Sequence, residues 1–207
     1  MQKVSPRRFQ GNQLVLASHN QGKLAELRAL VAPLGITVLS AGEAGLSAPE
    51  ETGTTFEENA ALKARIACEE ARLPALADDS GLAVTALGGA PGVYSARWAA
   101  ADGDHAPAIA RIEAEMGGAA DRSAKFVSVL TLSWPDGHLE AARGECAGRL
   151  VFPARGEGGF GYDPIFEPGG QEGPPRTFGE MTPEGKRAYS HRAKAMAMTM
   201  DRVFAPS

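Results

Sequence analysis

Cysteine is scarce in this chain. Only Cys68 and Cys146 occur, far apart and without a CxxC partner, which excludes a disulfide framework or a structural zinc site. A reducing, cytoplasmic setting is the default expectation. Excess positive charge is also missing. The formal net charge is -4, so no broad basic surface for nucleic acid is expected, and an anionic ligand must be met locally by a few Lys and Arg. Residues 1–13 are polar and slightly basic and lack the apolar core of a signal peptide or a membrane span, so no membrane partner is expected. Internal repeats, low-complexity tails and inter-domain linkers are absent from the sequence as well. What remains is ordinary globular composition, with 43% hydrophobic and 22% charged residues, enough for one large domain or two small lobes.

The centre of the pattern is Leu73-Pro-Ala-Leu-Ala-Asp-Asp-Ser-Gly-Leu82. Its apolar half predicts a buried strand that ends at Asp78 and Asp79. Carboxylates at a strand end suit Mg²⁺, which takes one or two carboxylates plus substrate phosphates. Asp-Asp-Ser-Gly is equally good turn chemistry, and the segment alone does not choose. Around it the chain alternates. Leu14–Ala17 reads as a strand, Ser18–Lys23 as a polar loop, and Leu24, Leu27, Leu30, Val31 and Leu34 recur at helical spacing. Ile36–Leu39 is a second strand. Thr54 and Thr55, each with Glu three positions on, offer two overlapping capping boxes for a helix reaching about Arg72. A short strand over Leu82–Val84, a glycine-rich loop over Leu87–Tyr94 and a helix from about Pro107 to Met116 follow. Pro135-Asp136-Gly137 predicts a hairpin between two β-rich runs. Arg155–Pro175 reads as one long loop, the length usual for functional loops. Thr182 and Pro183 open a single last helix that carries Lys186, His191 and Arg192 through to Phe204. This order predicts an α/β fold with a mixed sheet.

Several stretches could carry chemistry. A loop between a strand and a helix N-terminus presents free N–H groups to a phosphate, and Ser18, His19, Asn20, Gln21, Gly22 and Lys23 form such a loop; a plain polar turn fits too. Glu50 and Glu51 read as solvated glutamates unless their loop folds toward the aspartates. Lys63 reads as a snorkelling lysine or a phosphate ligand. Phe160-Gly161-Tyr162-Asp163 can stack on a base and accept from a ring N–H, or merely pin its own loop. Lys186, His191 and Arg192 are anion ligands or a solvated helix face. His105 and His138 fall in loops and receive no role. No nucleophilic Cys or Ser is evident. Together these parts suit a nucleoside triphosphate with Mg²⁺.

In this order, Ser18–Lys23, Glu51–Asn59, Lys63–Arg65, Ala77–Ala83, Leu87–Arg97, Gly159–Phe166 and Lys186–Arg192 resemble the non-canonical purine nucleoside triphosphate pyrophosphatases, the inosine triphosphatase or HAM1-like family. The resemblance spans about Leu14 to Phe204 and treats 14–207 as one domain. It leaves residues 1–13 as an extension, so Arg7 and Arg8 inherit no role. It implies an elongated mixed β-sheet flanked by helices, two lobes with a central active-site cleft, and a homodimer. The implied reaction cleaves ITP, dITP or XTP to the monophosphate and pyrophosphate. Carried over, Ser18–Lys23 and Lys63 hold phosphates. Asp79 binds Mg²⁺ and accepts a proton from water, with Asp78 beside it. Glu51 is the second acidic ligand, with Glu50 as the adjacent alternative. Ser80 contacts substrate, Phe160–Asp163 recognise the base with Phe160 stacking, and Lys186, His191 and Arg192 contact base or phosphate. A phosphatase releasing orthophosphate and a non-catalytic nucleotide sensor are the rival expectations.

Overall fold

The structure, a computed structural model, describes residues 6–18 and 21–204. Six strands form one mixed sheet in the order β2-β1-β3-β4-β5-β6, flanked by helices. They are β1 (Gln13–Leu16), β2 (Thr37–Ser40), β3 (Ala75–Val84), β4 (Ser123–Ser133), β5 (Leu139–Leu150) and β6 (Phe166–Pro168). The helices are α1 (Gln21–Val31), α2 (Phe56–Ala71), α3 (Ala106–Met116), α4 (Pro183–Arg187) and α5 (His191–Thr199). Strand β1 pairs in parallel with β2 and β3, as short strand–helix–strand crossovers require, and β6 pairs antiparallel with β5. No helix among the described residues is long and apolar enough to cross a membrane.

The contacts divide the chain into two compact units: residues 1–79, 129–143 and 195–207, and residues 80–128 and 144–194. Each is assembled from separate stretches of chain, which explains why no linker is legible in the sequence.

The first unit packs Leu14, Leu16, Leu24, Leu27, Val31, Leu76 and Leu132 into its core, with Phe204 from the π-helical turn that follows α5. A smaller cluster around Val15, Ala67, Cys68 and Ala75 packs α2. Leu30 and Leu34, which share the helical spacing, are each 40% exposed: Leu24, Leu27 and Val31 already fill the inward stripe, and Leu34 lies beyond the helix in a 3-10 turn. Of the two capping options the chain uses Thr55 with Glu58, each bonding the other's backbone N–H. The extension is fastened over its described part. Arg7 reaches Asp136 and stacks on Trp134, and Phe9 meets Phe204 with ring centroids 5.4 Å apart.

The second unit builds its core from Leu82, Val84, Ile112, Phe126, Ile165, Phe166 and Phe178. Four sequence expectations are corrected here or along β3. Asp78 and Asp79 do not end a strand, and no separate strand covers Leu82–Val84, because β3 runs unbroken through the acidic pair. It continues because Leu82 and Val84 are fully buried and because the Leu82 N–H donates to Ser95 Oγ (2.9 Å). Gly81 makes that approach possible, since a Cβ there would lie 2.4 Å from the Gly92 carbonyl oxygen. The 155–175 stretch is not one loop: buried Ile165 and Phe166 carry a 3-10 turn and β6 inside it. The last helix is two helices. Ser190 interrupts it by capping the next, its Oγ accepting from the Ala193 N–H (3.4 Å). The hairpin at Pro135–Gly137 forms as expected, closed by Gly137 N–H to Trp134 O (2.9 Å).

Candidate active site

In the first unit, β3, α1, α2 and the loop before α2 bring together five groups. Asp78 and Asp79 are each only 6% exposed. Lys23, in the first turn of α1, pairs with Asp78. Lys63, from the middle of α2, donates to Asp79 Oδ1 (2.8 Å) and to Glu51 Oε1 (2.7 Å). The loop carrying Glu51 is held by buried Asn59, whose Oδ1 accepts from the Gly53 N–H (2.8 Å). Glu50 is exposed, so Glu51 is the glutamate that the chain directs to the lysine. Sequence reasoning quoted Asn59 in a motif but gave it no role; an Asn on the inward face of a capped helix was its only signal.

The electrostatics of this cluster are asymmetric. Burial pushes the Asp79 carboxyl above its ordinary value, and the Lys63 ammonium draws it back only in part. Burial opposes the charge on Lys63, yet Asp79 and Glu51 together outweigh it and raise its pKa. Asp79 Oδ2 is buried and makes no hydrogen bond of good geometry to any described residue, although the Asn59 amide lies near enough to favour the charged carboxylate. Among the described residues no three His, Cys, Asp or Glu side chains converge as a ready-made metal cage. A hard cation does not need one, because substrate oxygens usually complete its shell. An all-oxygen donor set, with one buried carboxylate oxygen lacking a hydrogen bond of good geometry, fits such an ion.

His19, Asn20 and the side chain of Gln21 lie outside the described residues. Ser18, half-buried, follows β1, and Gly22 and Lys23 already belong to the first turn of α1.

In the second unit the loop after β5 presents Phe160, 64% exposed. Its backbone N–H donates to Asp163 Oδ2 (2.8 Å), and Asp163, 2% exposed, pairs with Lys186. Gly159 has φ +75°, and a Cβ there would strike Asp163 Oδ2 at 2.0 Å, so glycine lets the loop wrap the carboxylate. Lys186 Nζ lies 4.6 Å from the Phe160 ring centroid and the Arg192 guanidinium 5.9 Å from it. Lys186 is therefore committed to a buried carboxylate, not spread on a solvated helix face. The Tyr162 ring is buried, its hydroxyl donating to the Ser95 carbonyl (2.7 Å), so its side chain is a core residue. His191 is also buried, stacked on Phe126 at 4.9 Å and 11°. Ser80 is half-buried within β3. Cys68 and Cys146 are buried thiols; burial raises both and holds Cys146 at about 11, so neither supplies a thiolate nucleophile near neutrality.

The mixed α/β sheet carries an oxygen-rich, lysine-countered strand in the first unit, and the second unit exposes an aromatic ring. The Ham1 family model matches residues 14–202, and the chain belongs to the Ham1 family. It is 55% identical over 201 residues to a dITP/XTP pyrophosphatase of Rhodopseudomonas palustris, covering 91% of this chain and 94% of that protein. It is 52% identical to a dITP/XTP pyrophosphatase of Rhodospirillum centenum, covering 98% of this chain and all of the relative. Among solved structures, a HAM1 protein from Coxiella burnetii superposes with a TM-score of 0.86 at 39% identity, over 92% of this chain and 98% of that one.

Proposed function

We propose that this protein hydrolyses non-canonical purine nucleoside triphosphates (dITP, XTP and ITP) to the monophosphate and pyrophosphate. The observation that carries the reading is Asp79: a buried carboxylate, raised in pKa, held by Lys63 on one oxygen and without a hydrogen bond of good geometry on the other, in a chain at least half identical to proteins named for this activity. Asp79 accepts a proton from the attacking water, a task suited to a carboxylate lifted toward neutrality. Lys23 and Lys63 turn from carboxylates to phosphate oxygens and offset the charge that builds as the anhydride bond breaks. Asp79, Glu51 and Asp78 would hold a Mg²⁺ ion, which would supply neutralisation of phosphate charge when bound. Ser18–Lys23 bind phosphates and Ser80 contacts substrate. Phe160 stacks on the base, Asp163 and Lys186 sit at its edge, and Arg192 adds charge nearby; His191 supports this cluster from the core. A site that donates to a 6-oxo group and accepts from the adjacent ring N–H leaves adenine unpaired.

A homodimer and a cytoplasmic setting complete the proposal. The first rests on the family resemblance, the second on two buried free thiols. The test is a panel of purified triphosphates assayed with and without Mg²⁺. Pyrophosphate from dITP and XTP, dependent on the metal and far above ATP, is the expected result. Orthophosphate plus diphosphate, or binding without turnover, overturns it.

A further inference from the structure

The loop that exposes Phe160 is braced from behind, and the brace uses a residue that its sequence context leaves without a role. Tyr162 follows Phe160 by two positions and turns inward. Its hydroxyl is fixed by the Ser95 carbonyl, and Ser95 is fixed in turn: its Oγ accepts from the Leu82 N–H of β3 (2.9 Å) and donates to the Gly92 carbonyl (2.6 Å). On the Tyr162 ring lies His105, edge-on, with centroids 5.1 Å apart and planes at 89°. His105 is itself oriented. Its Nδ1 lies 2.9 Å from the Gly103 carbonyl, which can only accept, so Nδ1 carries the proton. Nε2 then faces the loop, and a Cβ built on Gly161 would lie 3.5 Å from it. Gly161 has φ +67°, a conformation that a side chain would strain.

We propose that His105 and Tyr162 are positioning residues for base recognition. Through Ser95 they tie the Phe160–Gly161 backbone to the end of β3 and so set the angle at which the Phe160 ring meets a purine. The inference rests on the reading of Phe160 as the base platform. It follows from the freedom of the backbone: two left-handed glycines flank an exposed phenylalanine, and without side chains to restrict them such a loop keeps one conformation only if something rigid fixes it. Beside the Phe160 N–H bond to Asp163 and the Gly158 N–H bond to the Gly179 carbonyl, the Tyr162 hydroxyl bond and the His105 ring contact fix that loop.

Three variants test this in the full chain: His105→Ala, His105→Phe (which restores a ring edge) and Tyr162→Phe. Two readouts are taken. Amide hydrogen exchange over residues 157–163 reports the loop without substrate. Steady-state kinetics on dITP report KM and kcat separately. His105→Ala is expected to speed exchange in that segment alone and to raise KM about three- to tenfold, the factor an edge-on aromatic pair is worth, with kcat kept. His105→Phe is expected to recover most of both effects, and Tyr162→Phe to act in the direction of His105→Ala. Unchanged local exchange, exchange that rises across the whole chain, or an unchanged KM overturns the brace. If the wild-type protein releases no pyrophosphate from dITP, the proposed reaction falls, and the exchange readout alone decides whether the brace exists.

Discussion

Each unit holds a buried aspartate against a lysine, and the two pairs differ in what is left over. In the second unit Asp163 Oδ2 takes both the Phe160 N–H and Lys186, while Lys186 also lies against the Phe160 and Phe178 rings. In the first unit Lys63 is shared between Asp79 and Glu51, and Asp79 keeps a buried oxygen without a hydrogen bond of good geometry. One pair is a scaffold whose polar groups are engaged with each other. The other shares one lysine between a buried aspartate and a partly exposed glutamate, which is a cost to folding and an opening for chemistry. Similar residue types thus give a rigid platform in one place and a poised reactive group in the other.

The sharpest way to break that comparison is to neutralise both aspartates. Asp79→Asn is expected to lower kcat for pyrophosphate release by about 10²–10⁴-fold, the usual worth of a positioned general base. Its thermal midpoint should stay level or rise. The sign follows from the raised folded-state pKa: such a carboxyl favours folding below its ordinary value and loses that contribution as pH climbs through the folded value, so at neutrality the ionised group is a liability. Activity within tenfold of wild type, or a midpoint several degrees lower, would contradict the assignment. Asp163→Asn should do the reverse, costing about 2–3 kcal/mol of stability, because it leaves Lys186 without its carboxylate. Denaturant unfolding of the two variants side by side measures the contrast.

Lys63→Met comes next. It leaves Asp79 and Glu51 facing each other, and a loss of about 2–3 kcal/mol is expected at neutral pH, below the full value for a wholly buried pair because Glu51 is partly exposed. The deficit should shrink on acidification, as the raised Asp79 carboxyl takes up a proton. A deficit that grows toward low pH would show that Lys63 is not what holds the pair. Phe160→Ala is the smallest change. With its ring mostly in solvent, stability should barely move, while KM for dITP should rise roughly tenfold, in line with about 1–2 kcal/mol for one stacked base.

The order of motifs, the buried strand Ala75–Ala77, the Thr55–Glu58 capping box, the Pro135–Gly137 hairpin and the candidate residues from Lys23 to Arg192 were legible in the sequence, because each depends on local chemistry or short-range spacing. Where β3 ends was not, since Asp-Asp-Ser-Gly has turn propensity and only the distant Ser95 and the burial of Leu82 and Val84 keep it extended. Nor was it legible that Tyr162 and His191 turn into the core while Phe160 turns out, or that His105 braces the loop; neighbouring aromatics have the same local preferences, and only packing against Ser95 and Phe126 separates them. The sequence by itself determined which chemical groups this protein carries and in what order. Tertiary structure decided which carboxylate is satisfied and which is left poised, because burial and partner geometry, not residue type, set the energy of a charge.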